Sequence, residues 1–238
     1  MENGEVGTSF EPPFPGAVLV ETHAHTAEVS DCCRLSAKEM VRAVAERGYS
    51  AVVITDHNVP GSTRTAKQCA RFARGYELAG RAGEKLGITV LPGMELRFAS
   101  EGYNDFLVYL PDAALYKQRS LPEMTPQAFK RLADERGMLV YQAHPFRSYL
   151  FVEPPEVLHG VEVYNGNPRH DSRNTLALAY AQEHGLAMLS GSDVHQAHDP
   201  GSGGIWVPKE AIASPAAFVD YLRATPHPAM IINKEETL

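Results

Sequence analysis

Eight acids and histidines fall in five short clusters: His23-Ala24-His25, Asp56-His57, Glu95, His144 and Asp193-Val194-His195. A mixed imidazole and carboxylate set suits zinc, manganese or iron. Residues two apart on an extended segment point the same way, so His23 with His25, and Asp193 with His195, can each turn two ligands into one pocket. A carboxylate such as Glu95 or Asp193 can bridge two ions. Paired metals about 3.5–4 Å apart can then clamp both oxygens of an in-line displacement at phosphorus. Asp56 reads two ways, as a ligand or as a group that orients the His57 imidazole. Glu162, inside the apolar run Val161 to Tyr164, reads as a buried, paired carboxylate near the site or as an edge residue. His159, His170, His184 and His227 are most simply surface or helix residues. His198, in the loop after His195, stays ambiguous.

What must position these groups is a series of short apolar runs, and each cluster follows one of them. The runs are 17–20, 51–54, 88–91, 106–110, 138–141, 161–164, 186–189 and 229–232, and their length and β-branched content suit buried strands. Helical punctuation separates them. Ser36-Ala37-Lys38-Glu39 is a capping box, Thr125-Pro126 and Ser214-Pro215 pair an N-cap with proline at the first helical position, and Gly48, Gly137 and Gly185 stand where helices end. One longer helix is expected from about Thr63 to Leu86, with Cys69, Phe72, Ala73 and Tyr76 on its core stripe. Strand alternating with helix throughout predicts a parallel sheet in an α/β fold. In a parallel barrel the carboxyl ends of the strands converge on one face, and each chemical cluster follows a predicted strand.

The chain has 238 residues, 44% of them hydrophobic and 21% charged, the profile of a globular protein and not of a disordered or fibrous one. A formal charge of −7 argues against a broad phosphate-backbone binder, leaving short nucleotides as the only nucleic-acid ligands expected. Bound cations would offset much of that charge locally. No run reaches the length of a membrane span, and residues 1–16 show no basic region followed by an apolar stretch. The expectation is a cytoplasmic protein, one domain over residues 1–238 with an extended leader at 1–16, and three free thiols, Cys32, Cys33 and Cys69. Oligomeric state is open.

The ordered set His23-x-His25, Thr55-Asp56-His57-Asn58, Gly93-Met94-Glu95, Ala143-His144-Pro145 and Gly191-Ser192-Asp193-x-His195 resembles the PHP family, named for polymerase and histidinol phosphatase domains. The resemblance runs from about Val18 to His195. It implies a distorted seven-stranded (β/α) TIM-like barrel whose two or three divalent ions (manganese, zinc or iron) hydrolyse phosphate esters. By position, His23, His25, Glu95 and Asp193 would hold one ion, Glu95 and His144 a second, and His57 and His195 a third. The family's further ligand after the HxH motif falls at Asp31 by spacing, with Glu28 as second choice. The second ion usually gains another histidine, but none lies between His57 and His144, and Asp105 is the substitute.

Arg97, Arg147, Arg169 and Asn165 are the candidates for holding substrate phosphate, since guanidinium forks suit phosphate oxygens. His195, His198 and Arg147 are the catalytic candidates, His195 as a proton donor only if it binds no metal. The expected partner is a small phosphorylated molecule, a phosphomonoester or phosphodiester, and no membrane. Two alternatives remain at this point: an amide or lactone hydrolase of amidohydrolase type, and a non-catalytic, metal-stabilised scaffold.

Overall fold

A computed structural model describes residues 11–232. The strands are β1 (Ala17–Ala24), β2 (Ala51–Ile54), β3 (His57–Asn58), β4 (Thr89–Arg97), β5 (Asp105–Tyr109), β6 (Leu139–Gln142), β7 (Gly160–Asn165), β8 (Ala187–Gly191), β9 (Gly204–Pro208) and β10 (Ala229–Ile231). The helices are α1 (Ala37–Glu46), α2 (Ala66–Phe72), α3 (Arg74–Leu86), α4 (Pro126–Arg136), α5 (Asn174–His184) and α6 (Pro215–Ala224). The sheet runs β10-β9-β1-β2-β4-β5-β6-β7-β8, with β3 beside β4. Seven of these strands, β1, β2 and β4 to β8, curl into the expected α/β barrel.

The barrel is distorted where it closes. No ladder joins β8 to β1. Instead the Thr22 hydroxyl donates to the Ser190 carbonyl at 2.6 Å, the Ser192 amide donates to buried Glu21 at 2.9 Å, and Ala24 bridges Val194 just beyond β8. β9 fills the other half of the seam, antiparallel to β1 from Ala17 to Val20.

The all-parallel expectation fails at this strand and at two others. β5 is antiparallel to both neighbours, and β10 is antiparallel to β9. The reason at β5 is the short connection 98–104, which turns the chain straight back, whereas a parallel return needs a crossover of a dozen residues or more. Reversal has a functional consequence: the start of β5, Asp105, pairs in register with Arg97 at the end of β4. β9 and β3 have no counterpart among the predicted runs. β4 extends past its predicted end and carries Glu95 within the ladder.

Side chains of alternate residues sort the core into an inside and an outside. Val53, Leu91, Leu107, Tyr109, Leu139, Tyr141 and Leu189 fill the barrel, and Phe218, Val219 and Leu222 of α6 join them. Val52 and Ile54 face α1 and α3, while Phe106, Val108, Val140, Val161 and Val163 pack with Phe129 of α4 and Ala177 of α5. With Phe106 and Val108 outside, the opposite set Asp105, Leu107 and Tyr109 must face inward.

The helix caps form as expected: Ser36 and Glu39 cap reciprocally, Thr125 and Ser214 accept from the third helical amide, and Gly137 and Gly185 adopt the left-handed conformation. The expected helix from Thr63 to Leu86 is two helices meeting at Ala73. Thr65 and Gln68 cap the first, and Gly75 in the second lies where any Cβ would strike Asp56 and Thr26. Cys69 is buried on that stripe. Residues 1–10 of the expected leader lie outside the described residues, and 11–16 end in a turn closed by Ala17 N–H to the Phe14 carbonyl at 3.1 Å. No helix among the described residues is long and apolar enough to cross a membrane.

Candidate metal centre

At the carboxyl end of the barrel, β1 delivers His23 and the residue just past it His25, β3 His57, β4 Glu95, the loop after β6 His144, and the loop after β8 Asp193 and His195. Glu95 is the hub. Its Oε1 lies 3.1 Å from His144 Nε2 and 3.5 Å from His23 Nε2, and its Oε2 lies 2.9 Å from His57 Nδ1 and 3.4 Å from His25 Nε2. Asp193 Oδ1 is 3.4 Å from both His23 Nε2 and His25 Nε2 and 3.2 Å from His195 Nδ1.

This donor set fits a divalent cation. His23 Nε2, His25 Nε2, His57 Nδ1 and His144 Nδ1 are buried atoms with no hydrogen-bond partner, a costly arrangement for any purpose other than ligation. Separations of 3.4–3.5 Å among His23, His25, Glu95 and Asp193 are the edges formed by donors about 2.0–2.2 Å from one shared ion. Among the described residues, four groups bring donor atoms within 4.8 Å of one another: His23, His25 and Glu95; His23, His144 and Asp193; His57, Glu95 and Asp105; and His25, His57 and His195.

Buried partners behind the ligands set their orientation. Glu162 Oε1 lies 2.8 Å from His23 Nδ1, which fixes the proton there and turns Nε2 into the site. The other Glu162 oxygen accepts from the His144 amide at 2.9 Å and from Asn165 at 3.0 Å. Asp56 accepts from the Thr26 amide, the Thr26 hydroxyl and the Ser30 hydroxyl, each at 2.7 Å, and Ser30 in turn accepts from the His57 amide. Asp56 therefore orders the loop beside the site and, among the described residues, joins none of the donor groups. His144 and Asp193 hold positive φ, 31° and 54°, a conformation non-glycine residues avoid and active sites concentrate.

Charge is coupled across the cluster. Burial opposes ionisation of His23 and His57, but Asp193, Glu162 and Glu95 around the first, and Glu95 beside the second, raise both well above the ordinary imidazole value. Burial also opposes ionisation of Glu95 and Asp193, yet the imidazoles, His57 and His23 foremost, hold both carboxyls well below theirs. Against its burial, His195 rises to about 10 through Asp193 and Cys32, whereas burial and His195 push His25 to about 3. Burial would raise the Cys32 thiol, but hydrogen bonds with His195 and His57 bring it down to about 7.

The remaining candidates divide. Asp105 is buried with His57 and Glu95, and both its oxygens accept from Arg97, at 2.8 and 2.7 Å. Arg147 is only 6% exposed and donates to Asp193 Oδ2 at 2.9 Å and Asn165 at 3.0 Å. Arg169 is forked onto Asp199, and Asn165 is buried between Glu162, Asp193 and Arg147. Asp31 is exposed and, among the described residues, joins none of the four donor groups; Glu28 caps α1 through the Ala37 amide at 2.9 Å. His198, with 65% of its side chain exposed, stands outside the lining of the cleft and faces Asp199 at 3.6 Å.

Above the donors opens a cleft of ≈ 320 Å³ whose walls include Arg34, Arg97, Arg147 and Arg169. Arg34, Tyr149, His170 and Cys32 also line it, and single-residue chemistry had not marked them as site residues. The signal for Arg34 and Cys32 was their nearness to the HxH motif; for Tyr149 and His170 only the loop paths place them.

A PHP domain family model matches residues 21–223. The chain belongs to the PHP family. No curated protein matches it, but solved structures share the fold. The PHP chain is 18% identical, at TM-score 0.67, to a two-domain Bacteroides vulgatus protein described as containing a predicted PHP-like metal-dependent phosphoesterase, covering 94% of this chain and 67% of that one. PsfC of Pseudomonas syringae is 14% identical at the same TM-score, over 92% and 93% of the two chains. An amidohydrolase of Chromobacterium violaceum, with bound sulfate and no metal, is 15% identical at TM-score 0.53, over 91% and 99%.

Proposed function

We propose that this PHP protein is a metal-dependent hydrolase of phosphate esters, acting on a small phosphorylated molecule or short nucleotide with two or three divalent ions. The observation that carries the reading is the convergence of unpartnered buried imidazole nitrogens on Glu95 and Asp193 beneath a cleft walled by four arginines. When bound, the ions supply Lewis acidity and a water of lowered pKa. His23, His25, Glu95 and Asp193 hold one ion. Glu95, His144 and Asp105 are the donors around a second, and His57 and His195 serve a third.

Arg147 works through Asp193, holding its second oxygen so that the first faces His23 and His25. Arg97 and Arg169 each spend part of a fork on a carboxylate and keep a face toward the cleft, where they and Arg34 receive phosphate oxygens. His195, committed to Asp193 and Cys32, acts as a ligand and not as a proton donor. Hydrolysis of an amide or lactone would leave this cationic wall without a task.

The test is elemental analysis of protein purified without a metal-affinity step, followed by assays of p-nitrophenyl phosphate and bis-p-nitrophenyl phosphate beside acyl esters and lactones. Phosphate ester turnover that depends on manganese, zinc or iron is expected. Turnover of acyl substrates alone, or none by metal-loaded protein, overturns the proposal.

A further inference from the structure

The donor group His25, His57 and His195 differs from the others in having no carboxylate. Its rings are packed together, with His25 4.7 Å from His57 and 4.4 Å from His195 between centroids. His25 is fully buried with its Nε2 turned to Glu95 and Asp193, so its ring walls this group, and His57 Nδ1 is a buried nitrogen of the group with no hydrogen-bond partner. Beside this group stands a sulfur: Cys32 Sγ is 3.1 Å from His195 Nε2, and the thiol also interacts with His57.

The backbone puts the sulfur there. Asp56 pins Thr26 and Ser30, and the Cys33 amide donates to the Ser30 carbonyl at 2.9 Å, closing a turn whose two central residues are Asp31 and Cys32. On the far side the buried Cys33 thiol donates to the His25 carbonyl at 3.2 Å and the Arg34 amide donates to the His195 carbonyl at 3.0 Å. Cys32 is thus tied on both flanks to the segments bearing His25 and His195. Neighbouring Asp31, the residue that spacing alone selects, and Cys32 are both exposed and both outside the four donor groups; what separates them is that only the Cys32 side chain reaches an imidazole of the group, His195 Nε2.

We propose that Cys32, and not Asp31, is a ligand of the His57 and His195 ion, with His25 beside it, so that this PHP centre carries one thiolate-bearing site. The inference rests on the metal-dependent reading above. A thiolate among imidazoles is a soft set, which favours zinc over manganese or magnesium and separates this site from the carboxylate-rich sites around the oxygen donors Glu95 and Asp193.

Cobalt(II) reads the proposal without any assay of hydrolysis. The full-length metal-free chain is titrated with cobalt, and the wild type is expected to develop a near-ultraviolet thiolate-to-cobalt charge-transfer band along with the weaker visible bands. Cys32→Ser is expected to lose the charge-transfer band and bind one cobalt fewer, or bind it more weakly, while the visible bands of the remaining sites persist and show that the variant folds. Asp31→Asn is expected to keep the full spectrum. Iodoacetamide followed by peptide mass analysis supplies the second readout: Cys32 is alkylated in the metal-free chain and protected by zinc. A cobalt-loaded wild type without the charge-transfer band, or a band that survives Cys32→Ser and so belongs to Cys33 or Cys69, overturns the proposal while leaving the hydrolase reading intact. A chain that binds no cobalt at all overturns both.

Discussion

An imidazole in the centre can depend on a second residue that fixes which nitrogen is free. Glu162 is the clearest case, because it holds the His23 Nδ1 proton and the His144 amide with its two oxygens. Glu162→Gln keeps the size but weakens that acceptor, and metal affinity should fall by about 10–100-fold, measured by competition with a chromophoric chelator. An unchanged affinity would mean that Glu162 is only a packing residue. Protonation provides a second test. In the metal-free chain His23 and His57 are held well above the ordinary imidazole value and His195 at about 10, so all three carry protons at neutral pH. Ligation requires neutral imidazole, so loading must release protons, and affinity must fall as pH falls. Adding zinc to unbuffered protein near neutral pH should acidify the solution by more than one proton per chain. Release of none would show the histidines already neutral.

At the scale of elements, the seam between β1 and β8 determines whether ligands from the two ends of the chain meet. Gly191 ends β8 where an added Cβ would lie 2.7 Å from His23 Cβ, 2.9 Å from Thr22 Oγ1 and 3.0 Å from Glu162 Oε1. Gly191→Ala must therefore part the strands, and we expect a loss of about 1–3 kcal/mol in denaturant unfolding together with weaker metal binding. Gly80 on α3 offers the contrast, since a Cβ there meets nothing within 4 Å and its φ is not left-handed. Gly80→Ala should stabilise by about 0.5–1 kcal/mol through the unfolded chain and leave metal binding unchanged. Equal effects of the two substitutions would show that the seam is not the sensitive contact.

Over the whole molecule, an ion held by donors from β1, β3, β4 and the loops after β6 and β8 binds the folded chain and not the unfolded one. Free metal at about 100 times its dissociation constant should add about 2.7 kcal/mol to stability. The increment should depend on pH. His23, His57 and His195 have raised values, so the stability their pairing with Glu95 and Asp193 adds to the metal-free chain is fully present below the unfolded imidazole value and is lost as pH rises toward about 10. The depressed carboxyls act oppositely, and their contribution is lost on acidification. The rise in melting temperature on adding zinc should therefore grow from about pH 6 to about pH 9, because metal competes with fewer protons and the metal-free reference weakens. A rise that shrinks over this range would contradict the coupling.

By itself the sequence determined the parts that depend on local pattern: short buried runs, the Ser36, Thr125 and Ser214 caps, the glycine stops, and the order of His, Asp and Glu motifs along the barrel. Local pattern is legible because side-chain period and capping act within a few residues. It could not show that β5 runs backwards, which brings Asp105 to the rim against Arg97, since strand direction is settled by pairing across the sheet. Nor could spacing show which side chain of the turn after the HxH motif lies against His195, because one step along a turn redirects the side chain. Tertiary contacts put Cys32 there, its Sγ 3.1 Å from His195 Nε2: Asp56, Ser30 and Cys33 fix the turn, and the His195 segment lies against it only after the barrel has closed.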